Sequence, residues 1–208
     1  MCPKTDEERQ RMYEVSYASA VGNLMYAMLC TRPDIAFAVN VVSKYQSNLG
    51  ERHWTTIKAI LKYLRRTKEL ILGYGGLELT LKGYSDSDFQ SDVDDRKSTS
   101  AFIFVCNEGA VSWKSAKQST TVDSTTEAEY IVALEATKEA KELRAHQKSK
   151  HVQRKYHILR EFIGVGDIVI QKIASIDNLT DPLTKALTQR LLDQHLERMG
   201  IRYYNDWL

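Results

Sequence analysis

The spacing of apolar residues changes abruptly near residue 75, and this change constrains the fold more than any other feature. Before it, apolar residues recur at helical spacing over Tyr17–Leu29 and again over Trp54–Arg66. After a glycine-rich turn, Leu77–Ser85 alternates apolar and polar residues, as a half-buried strand does. The sequence therefore predicts a helical segment over residues 1–75 and a sheet-containing domain over residues 76–208.

Further strands and helices follow this first strand. Thr99–Cys106 is a predicted strand, the run Asn107-Glu108-Gly109 favours a hairpin turn, and Ala110–Lys114 is the next strand. A long helical pattern then covers Thr125–Arg144. The remaining predicted elements are, in chain order, a helix over Lys150–Phe162, a strand over Ile168–Ile173 and a helix over Asp181–Met199 that ends at Gly200.

Charge and cysteine content restrict the class of protein. The formal net charge of +2 gives no global reason to expect nucleic-acid binding, so such a function would depend on local patches. The three cysteines are odd in number and form no CxxC pair, which favours a reducing compartment. No apolar run is long enough to cross a bilayer. We therefore expect a soluble intracellular protein without a membrane partner.

The stretch LKGYSDSDFQSDVDDRKSTS concentrates carboxylates that could be a solvated turn or a metal site. An EF-hand counted from Asp86 is excluded, because Ser91 replaces its glycine and Lys97 replaces its glutamate. Asp86 ends a predicted strand, where a carboxylate can point into a shared site. The other acidic residues are interpreted as a solvated turn; they are Asp92, Asp94 and Asp95.

A second candidate carboxylate, Glu129, lies in the run STTEAEY at the start of the long helix. Its spacing from Thr126 also fits a capping box, and Ser124 with Glu127 fits another. From spacing alone, the capping interpretation of Glu129 comes ahead of metal binding.

A third candidate, Asp181, precedes Pro182 in the run IDNLTDPLTK, a position that also suits a helix N-terminus. A two-metal nuclease nevertheless presents its ligands in this same order along the chain: three strands, then a helix, then a distant helix that starts with an acidic residue. Two divalent ions about 4 Å apart need several carboxylates from different elements.

Several sequence blocks together resemble the C-terminal part of a copia-type LTR-retrotransposon Pol polyprotein. They include SYASAVGNLMYAMLCTRPDIAFAVNVVSKYQSN, GYSDSDF, DDRKSTSAFIFV, GAVSWKSAKQSTTVDSTTEAEYIVALEATKEAKEL and NLTDPLTKAL. The resemblance covers almost the whole chain. It implies that residues up to about 75 correspond to the end of the reverse-transcriptase region, and that the remainder corresponds to an RNase H domain.

That resemblance implies a mixed sheet with flanking helices and Mg²⁺-dependent hydrolysis of RNA in RNA:DNA hybrids. The family uses two Mg²⁺ ions and four carboxylates. By resemblance, Asp86 in GYSD, Glu129 in TEAEY and Asp181 in NLTDPLTK are the catalytic and metal-binding carboxylates of this chain. No ligand role is carried over onto Asp88.

The chain departs from the family pattern at KEAKELRAHQKSKHV, where an internal deletion near residues 144–146 is expected. The family has a fourth strand there, and it ends with the remaining catalytic aspartate. We therefore expect an α/β (mixed α+β) fold, an RNase H-like sheet without its central fourth strand. We also expect the hydrolytic activity to be lost. Ile168–Ile173 is hypothesised to fill the gap by pairing parallel to the Leu77–Ser85 strand.

A basic segment after the deletion has two open interpretations, phosphate contact or a solvated helix face. Its candidate nucleic-acid-binding residues are Lys148, Lys150, Arg154 and Lys155. Three functions remain open at this point: a degenerate RNase H-like fragment, an active RNA:DNA-hybrid ribonuclease, or a non-catalytic nucleic-acid-binding module. The remainder of a Pol polyprotein is a further partner that the resemblance implies.

Overall fold

The computed structural model describes residues 5–13, 15–46, 49–75, 80–89, 97–145 and 171–207. The helices are α1 (Asp6–Tyr13), α2 (Tyr17–Cys30), α3 (Ala36–Ser43), α4 (Glu51–Arg66), α5 (Thr125–Ala145), α6 (Asp181–Thr184) and α7 (Gln189–Arg198). The strands are β1 (Leu70–Leu72), β2 (Lys82–Asp88), β3 (Thr99–Cys106), β4 (Gly109–Lys117) and β5 (Ile201–Tyr203). The fold is mixed α+β, as the sequence predicted.

Helices α2, α3 and α4 share one apolar cluster, to which Val21, Val39 and Ile57 contribute fully buried side chains. The predicted helices are therefore confirmed, although α4 begins at Glu51 rather than Trp54 and Leu70–Leu72 form a strand within the predicted helical segment. Leu61 follows the apolar spacing of α4 but is 43% exposed. The inward face of α4 is instead formed by His53, Ile57 and Ile60.

A buried ion pair joins the turn before α3 to α4. Asp34 accepts hydrogen bonds from Arg32 Nε at 2.9 Å and from Arg32 Nη2 at 2.7 Å. The Tyr63 hydroxyl donates to the same carboxylate at 2.7 Å. Two parallel N–H···O bonds and a third donor satisfy this buried charge, as burial requires.

Strands β2, β3 and β4 form an antiparallel sheet in that order. β3 has the predicted bounds, and β4 extends the predicted strand in both directions. Asn107 and Glu108 form the predicted hairpin turn, and both have positive φ, as a two-residue turn of this type requires. β2 begins at Lys82, later than predicted, and residues 77–79 lie outside the described residues.

The two faces of this sheet are covered by different parts of the chain. One face buries Ala101 and Ile103 against Leu179 and Leu183. Helix α5 covers the other face, where Ser112 Oγ of β4 donates a hydrogen bond to Glu139 Oε1 of α5 at 2.6 Å. Side chains alternate between the faces of a strand, so the face that carries Ile103 also carries the even-numbered residues of β2.

The C-terminal strand returns to the first third of the chain. β5 pairs antiparallel with β1, with Leu70 opposite Tyr203 and Leu72 opposite Ile201. Trp113 Nε1 also donates to the Met28 carbonyl at 2.9 Å. The residues before the predicted boundary near 75 therefore pack directly against those after it. The boundary itself stays a prediction.

Two predictions for the C-terminal third need correction. The predicted helix Asp181–Met199 is interrupted between α6 and α7, where Lys185 and Thr188 adopt extended backbone angles. Its end at Gly200 is confirmed by a φ of +78°. Residues 171–173 form no strand, so the strand predicted over Ile168–Ile173 does not reach its expected end. The rest of that strand, its parallel pairing with β2 and the helix Lys150–Phe162 lie outside the described residues.

The described residues contain no helix that is long and apolar enough to cross a membrane. Cys30 is an exposed free thiol on α2, and Cys106 is a half-buried free thiol at the end of β3.

Candidate functional site

Asp86 lies in β2, on the sheet face that also carries the main apolar cluster. It is half-buried and pairs in register with Ala101 of β3. Thr184 Oγ1, at the end of α6, donates a hydrogen bond to Asp86 Oδ2 at 3.1 Å. A strand residue is therefore linked directly to a segment almost a hundred residues further along the chain.

Glu129 reaches β2 from the first turns of α5. Its Oε1 accepts a hydrogen bond from the Ser87 backbone N–H at 3.3 Å. The capping interpretation with Thr126 was wrong, since α5 already begins at Thr125 and the Glu129 carboxylate points to the strand.

The other capping pair is confirmed in part. Ser124 Oγ accepts from the Glu127 backbone N–H at 3.1 Å. Glu127 Oε2 accepts from the backbone N–H of Asp123 at 3.2 Å, rather than from that of Ser124. These two bonds satisfy N–H groups at the start of α5, and they leave Glu129 available for another role.

Asp181 begins α6 and is only 3% exposed. Its Oδ2 lies 3.0 Å from the Lys185 ammonium, one helical turn further on. Its Oδ1 is buried without a hydrogen-bond partner among the described residues. The prediction that Asp181 lies at a helix start is therefore confirmed. Its Oδ1 atom is removed from water without gaining a hydrogen bond, which costs free energy.

Asp86 interacts electrostatically with each of the other two carboxyl groups. Burial raises the pKa of Asp86, the hydrogen bond from Thr184 opposes that rise, and the neighbouring charge of Asp181 adds to it. Burial also raises the pKa of Glu129, and the charge of Asp86 adds to this rise. Asp86 is therefore coupled to both of the other carboxylates that the sequence predicted.

Asp88 and Lys185 belong to the same end of the sheet. Burial raises the pKa of Asp88, and the charge of Lys185 opposes the rise. Lys185 also opposes the raised pKa of Asp86, so one ammonium influences three carboxyl groups. Sequence reasoning missed Lys185, although its position four residues after Asp181 could have indicated an ion pair.

His195 of α7 is a further residue that sequence reasoning missed. It is 1% exposed, and neither ring nitrogen has a hydrogen-bond partner among the described residues. Burial lowers the pKa of this imidazole, whereas the charge of Asp181 opposes the change. The apolar stripe of α7 gave no signal that a titratable group faces Asp181.

The residues present fit a two-ion magnesium centre only in part. Carboxylate oxygens are suitable ligands for Mg²⁺, and the unpartnered Asp181 Oδ1 could accept a cation. Within the described ranges, however, no three His, Cys, Asp or Glu side chains are grouped to hold a metal ion. The fourth carboxylate of the family pattern is missing from the sequence after Arg144. The predicted magnesium ligands therefore stay a prediction.

Two groups of sequence-predicted residues cannot be placed. The acidic turn and the basic segment both lie outside the described residues; they comprise Asp92, Asp94, Asp95, Lys148, Lys150, Arg154 and Lys155.

An antiparallel meander of three strands, followed by a helix and with acidic side chains at one end, has the arrangement of a partial RNase H-like fold. No family model and no solved structure matches the chain. Several curated proteins are similar to it. The chain is 41% identical, over 97% of its length, to the retrovirus-related Pol polyprotein from transposon TNT 1-94 of Nicotiana tabacum. It is 30% identical, over 89% of its length, to the corresponding polyprotein from transposon RE1 of Arabidopsis thaliana.

The chain belongs to the family of Pol polyproteins of copia-type transposons. It spans 17% of the Nicotiana relative and 15% of the Arabidopsis relative, so it corresponds to a small part of either. It is also 47% identical to secreted RxLR effector protein 161 of Plasmopara viticola, over 62% of this chain and 92% of that protein.

The length of one alignment bears on the expected deletion. The match to the Nicotiana polyprotein extends over 231 residues, 23 more than the 208 residues of this chain. That relative therefore has at least 23 residues, within the matched region, that this chain lacks.

Proposed function

We propose that this chain is a degenerate RNase H-like fragment of a copia-type Pol polyprotein, one that no longer hydrolyses RNA in RNA:DNA hybrids. The observation that carries the proposal is an incomplete carboxylate set. Asp86 is coupled electrostatically to both Glu129 and Asp181, but the sequence lacks the fourth carboxylate of the family pattern.

The physical reason is that a bridging carboxylate fixes the spacing of both ions. Mg²⁺ demands near-ideal octahedral geometry and gives up its hydration water reluctantly, so an incomplete ligand set holds a pair of ions poorly. If Mg²⁺ were held here, it would supply the charge that stabilises the phosphodiester as it breaks, with Asp86, Glu129 and Asp181 as ligands. Catalytic groups that act as a unit fail together, so the loss of one removes most of the rate.

The test is a cleavage assay on a labelled RNA:DNA hybrid with Mg²⁺, using the full chain and the Asp86→Asn variant. We expect no cleavage by the wild-type chain above the level of the variant. Cleavage by the wild type that disappears in Asp86→Asn would overturn the proposal and establish the active ribonuclease instead.

The third function, a non-catalytic nucleic-acid-binding module, is favoured by the density of cations between Arg144 and Arg160, a range without acidic residues. Phosphate contacts release counterions, so the affinity of such a module falls steeply with salt. Titrating the hybrid at several salt concentrations separates this function from an inert fragment. Replacing Arg154 and Lys155 with glutamine should reduce both the affinity and the salt slope.

A further inference from the structure

A cavity of about 370 Å³ lies at the opposite end of β2 from the carboxylates. Its lining includes Lys82, Tyr84, Cys106, Leu179, Arg198 and Arg202. Lys82 and Tyr84 point to the same sheet face as Asp86 because side chains alternate along a strand. Four residues of strand separate Lys82 from Asp86, or about 13 Å. The cavity is therefore distinct from the candidate metal site.

Three cationic side chains converge on this cavity. Arg198 donates from Nη2 to the Asp177 carbonyl at 2.9 Å, and its Nη1 lies 3.8 Å from Asp177 Oδ1. Arg202 Nη1 lies 3.9 Å from Glu108 Oε2. Both ion pairs are long, and their carboxylates are more than half exposed, so each contributes little stability. Arg202 Nε also donates to the Glu197 carbonyl at 3.3 Å. A doubly charged anion in the cavity can compete with the two exposed carboxylates, because guanidinium groups bind phosphate oxygens in a bidentate manner.

The rest of the lining is mixed, with polar side chains from Thr80, Asn107 and Glu108 beside an apolar and aromatic part. Val105 and Leu179 line the cavity with carbon atoms, and Tyr84 adds a half-buried ring. Small-molecule sites combine such apolar surface with a few polar groups, and they commonly measure about 300–1,000 Å³. A ligand that satisfies both parts of the lining carries an anionic group and a flat apolar group.

We propose that this cavity binds a phosphate monoester bearing an aromatic ring, of about the size of a mononucleotide. The phosphate lies between Lys82, Arg198 and Arg202, and the ring lies against Tyr84 and Leu179. The ligand does not depend on the carboxylates at the other end of β2, so this proposal stands whether or not the chain hydrolyses RNA.

The chain carries a reporter for this site and an internal control for it. Cys106 lines the cavity, whereas Cys30 is exposed on α2, among residues that do not line the cavity. A ligand in the cavity should shield the Cys106 thiol from an alkylating reagent. The Cys30 thiol should react at an unchanged rate.

The experiment measures alkylation of each cysteine by iodoacetamide, read as peptide masses, in the full chain with adenosine 5′-monophosphate, adenosine or inorganic phosphate. We expect the monophosphate to slow alkylation of Cys106 several-fold, and inorganic phosphate to do so only at higher concentration. Adenosine should have little effect. In calorimetric titrations, Lys82→Gln and Arg198→Gln should each weaken binding of the monophosphate about tenfold, since each removes a charge-assisted contact.

A matched variant makes the result decisive. Arg52→Gln removes an exposed arginine from α4 and should leave binding unchanged. Equal protection of Cys106 and Cys30 would overturn the proposal. So would protection by adenosine equal to that by the monophosphate, or an affinity that Lys82→Gln and Arg198→Gln leave intact while circular dichroism shows both variants folded.

Discussion

Two effects change the pKa of the Asp86 carboxyl group, namely its burial and the negative charge of a neighbouring carboxylate. Both raise its pKa above the ordinary value of 3.8, and the nearby carboxyl groups of Asp181 and Glu129 interact with it. Such arrangements are typical of functional sites, where charge is held in place by the fold at some cost in stability. The sequence located the three residues through their motifs, but spacing alone favoured a capping role for Glu129.

This site predicts a pH-dependent effect of Asp86→Asn on stability. A carboxyl group with a raised pKa in the folded state contributes stability below its unfolded pKa, and that contribution is lost as pH rises through the folded pKa. The variant should therefore be more stable than the wild type at neutral pH, by up to about 1 kcal/mol. The difference should shrink as the pH falls toward 3.8. Urea unfolding from pH 3.5 to 7.5 measures it.

The control for this measurement is Asp193→Asn, which removes an exposed carboxylate from α7. It should change stability little at any pH, because an exposed charge loses little solvation on folding. A variant Asp86→Asn that is less stable than the wild type at neutral pH would contradict the assigned direction of the pKa shift.

At the scale of elements, a strand or helix could be predicted where its own residues carry the signal. β3 was predicted with its observed bounds, since TSAFIFVC is rich in β-branched and aromatic residues and a turn follows it. The break between α6 and α7 was not, because apolar spacing continues across it and the extended angles of Lys185 and Thr188 are set by tertiary contacts. The approach of His195 to Asp181 depends on that break, so sequence reasoning missed His195.

The end of α7 predicts a large effect for Gly200→Ala. Gly200 has a φ of +78°, and an added Cβ would lie 2.6 Å from the Glu108 carbonyl oxygen and 2.8 Å from that of Gly73. Backbone strain and this clash should together lower the free energy of unfolding by about 2–4 kcal/mol. The melting temperature should fall accordingly, as differential scanning calorimetry would record.

Gly22→Ala is the matched substitution on a helix. A Cβ at Gly22 of α2 meets no atom within 4 Å, so alanine there should raise the free energy of unfolding by about 0.5–1 kcal/mol. Equal effects of the two substitutions would show that the turn at Gly200 is not under the constraint described.

At the scale of the whole molecule, the sequence indicated two parts and the structure joins them at several points. The change of apolar period near residue 75 predicted a change from helices to strands, and strand β1 already lies before it. It gives no information on long-range pairing, and β1 pairs with β5 across most of the chain. Ala36 of α3 also belongs to the same buried cluster as Ile103 of β3. Contacts between residues so distant in sequence leave no periodic signal, so only the fold reveals them.

These contacts predict that residues 76–208 do not form a stable domain alone. Without residues 1–75, β5 loses its strand partner, the Trp113 indole loses the Met28 carbonyl, and the cluster around Ile103 loses Ala36. The fragment should bind a hydrophobic dye and unfold with a lower midpoint and a shallower urea transition than the full chain. Adding residues 1–75 as a separate polypeptide should restore part of the loss, because the missing contacts are non-covalent. A fragment 76–208 that unfolds cooperatively at the midpoint of the full chain would instead establish the predicted boundary as one between independent domains.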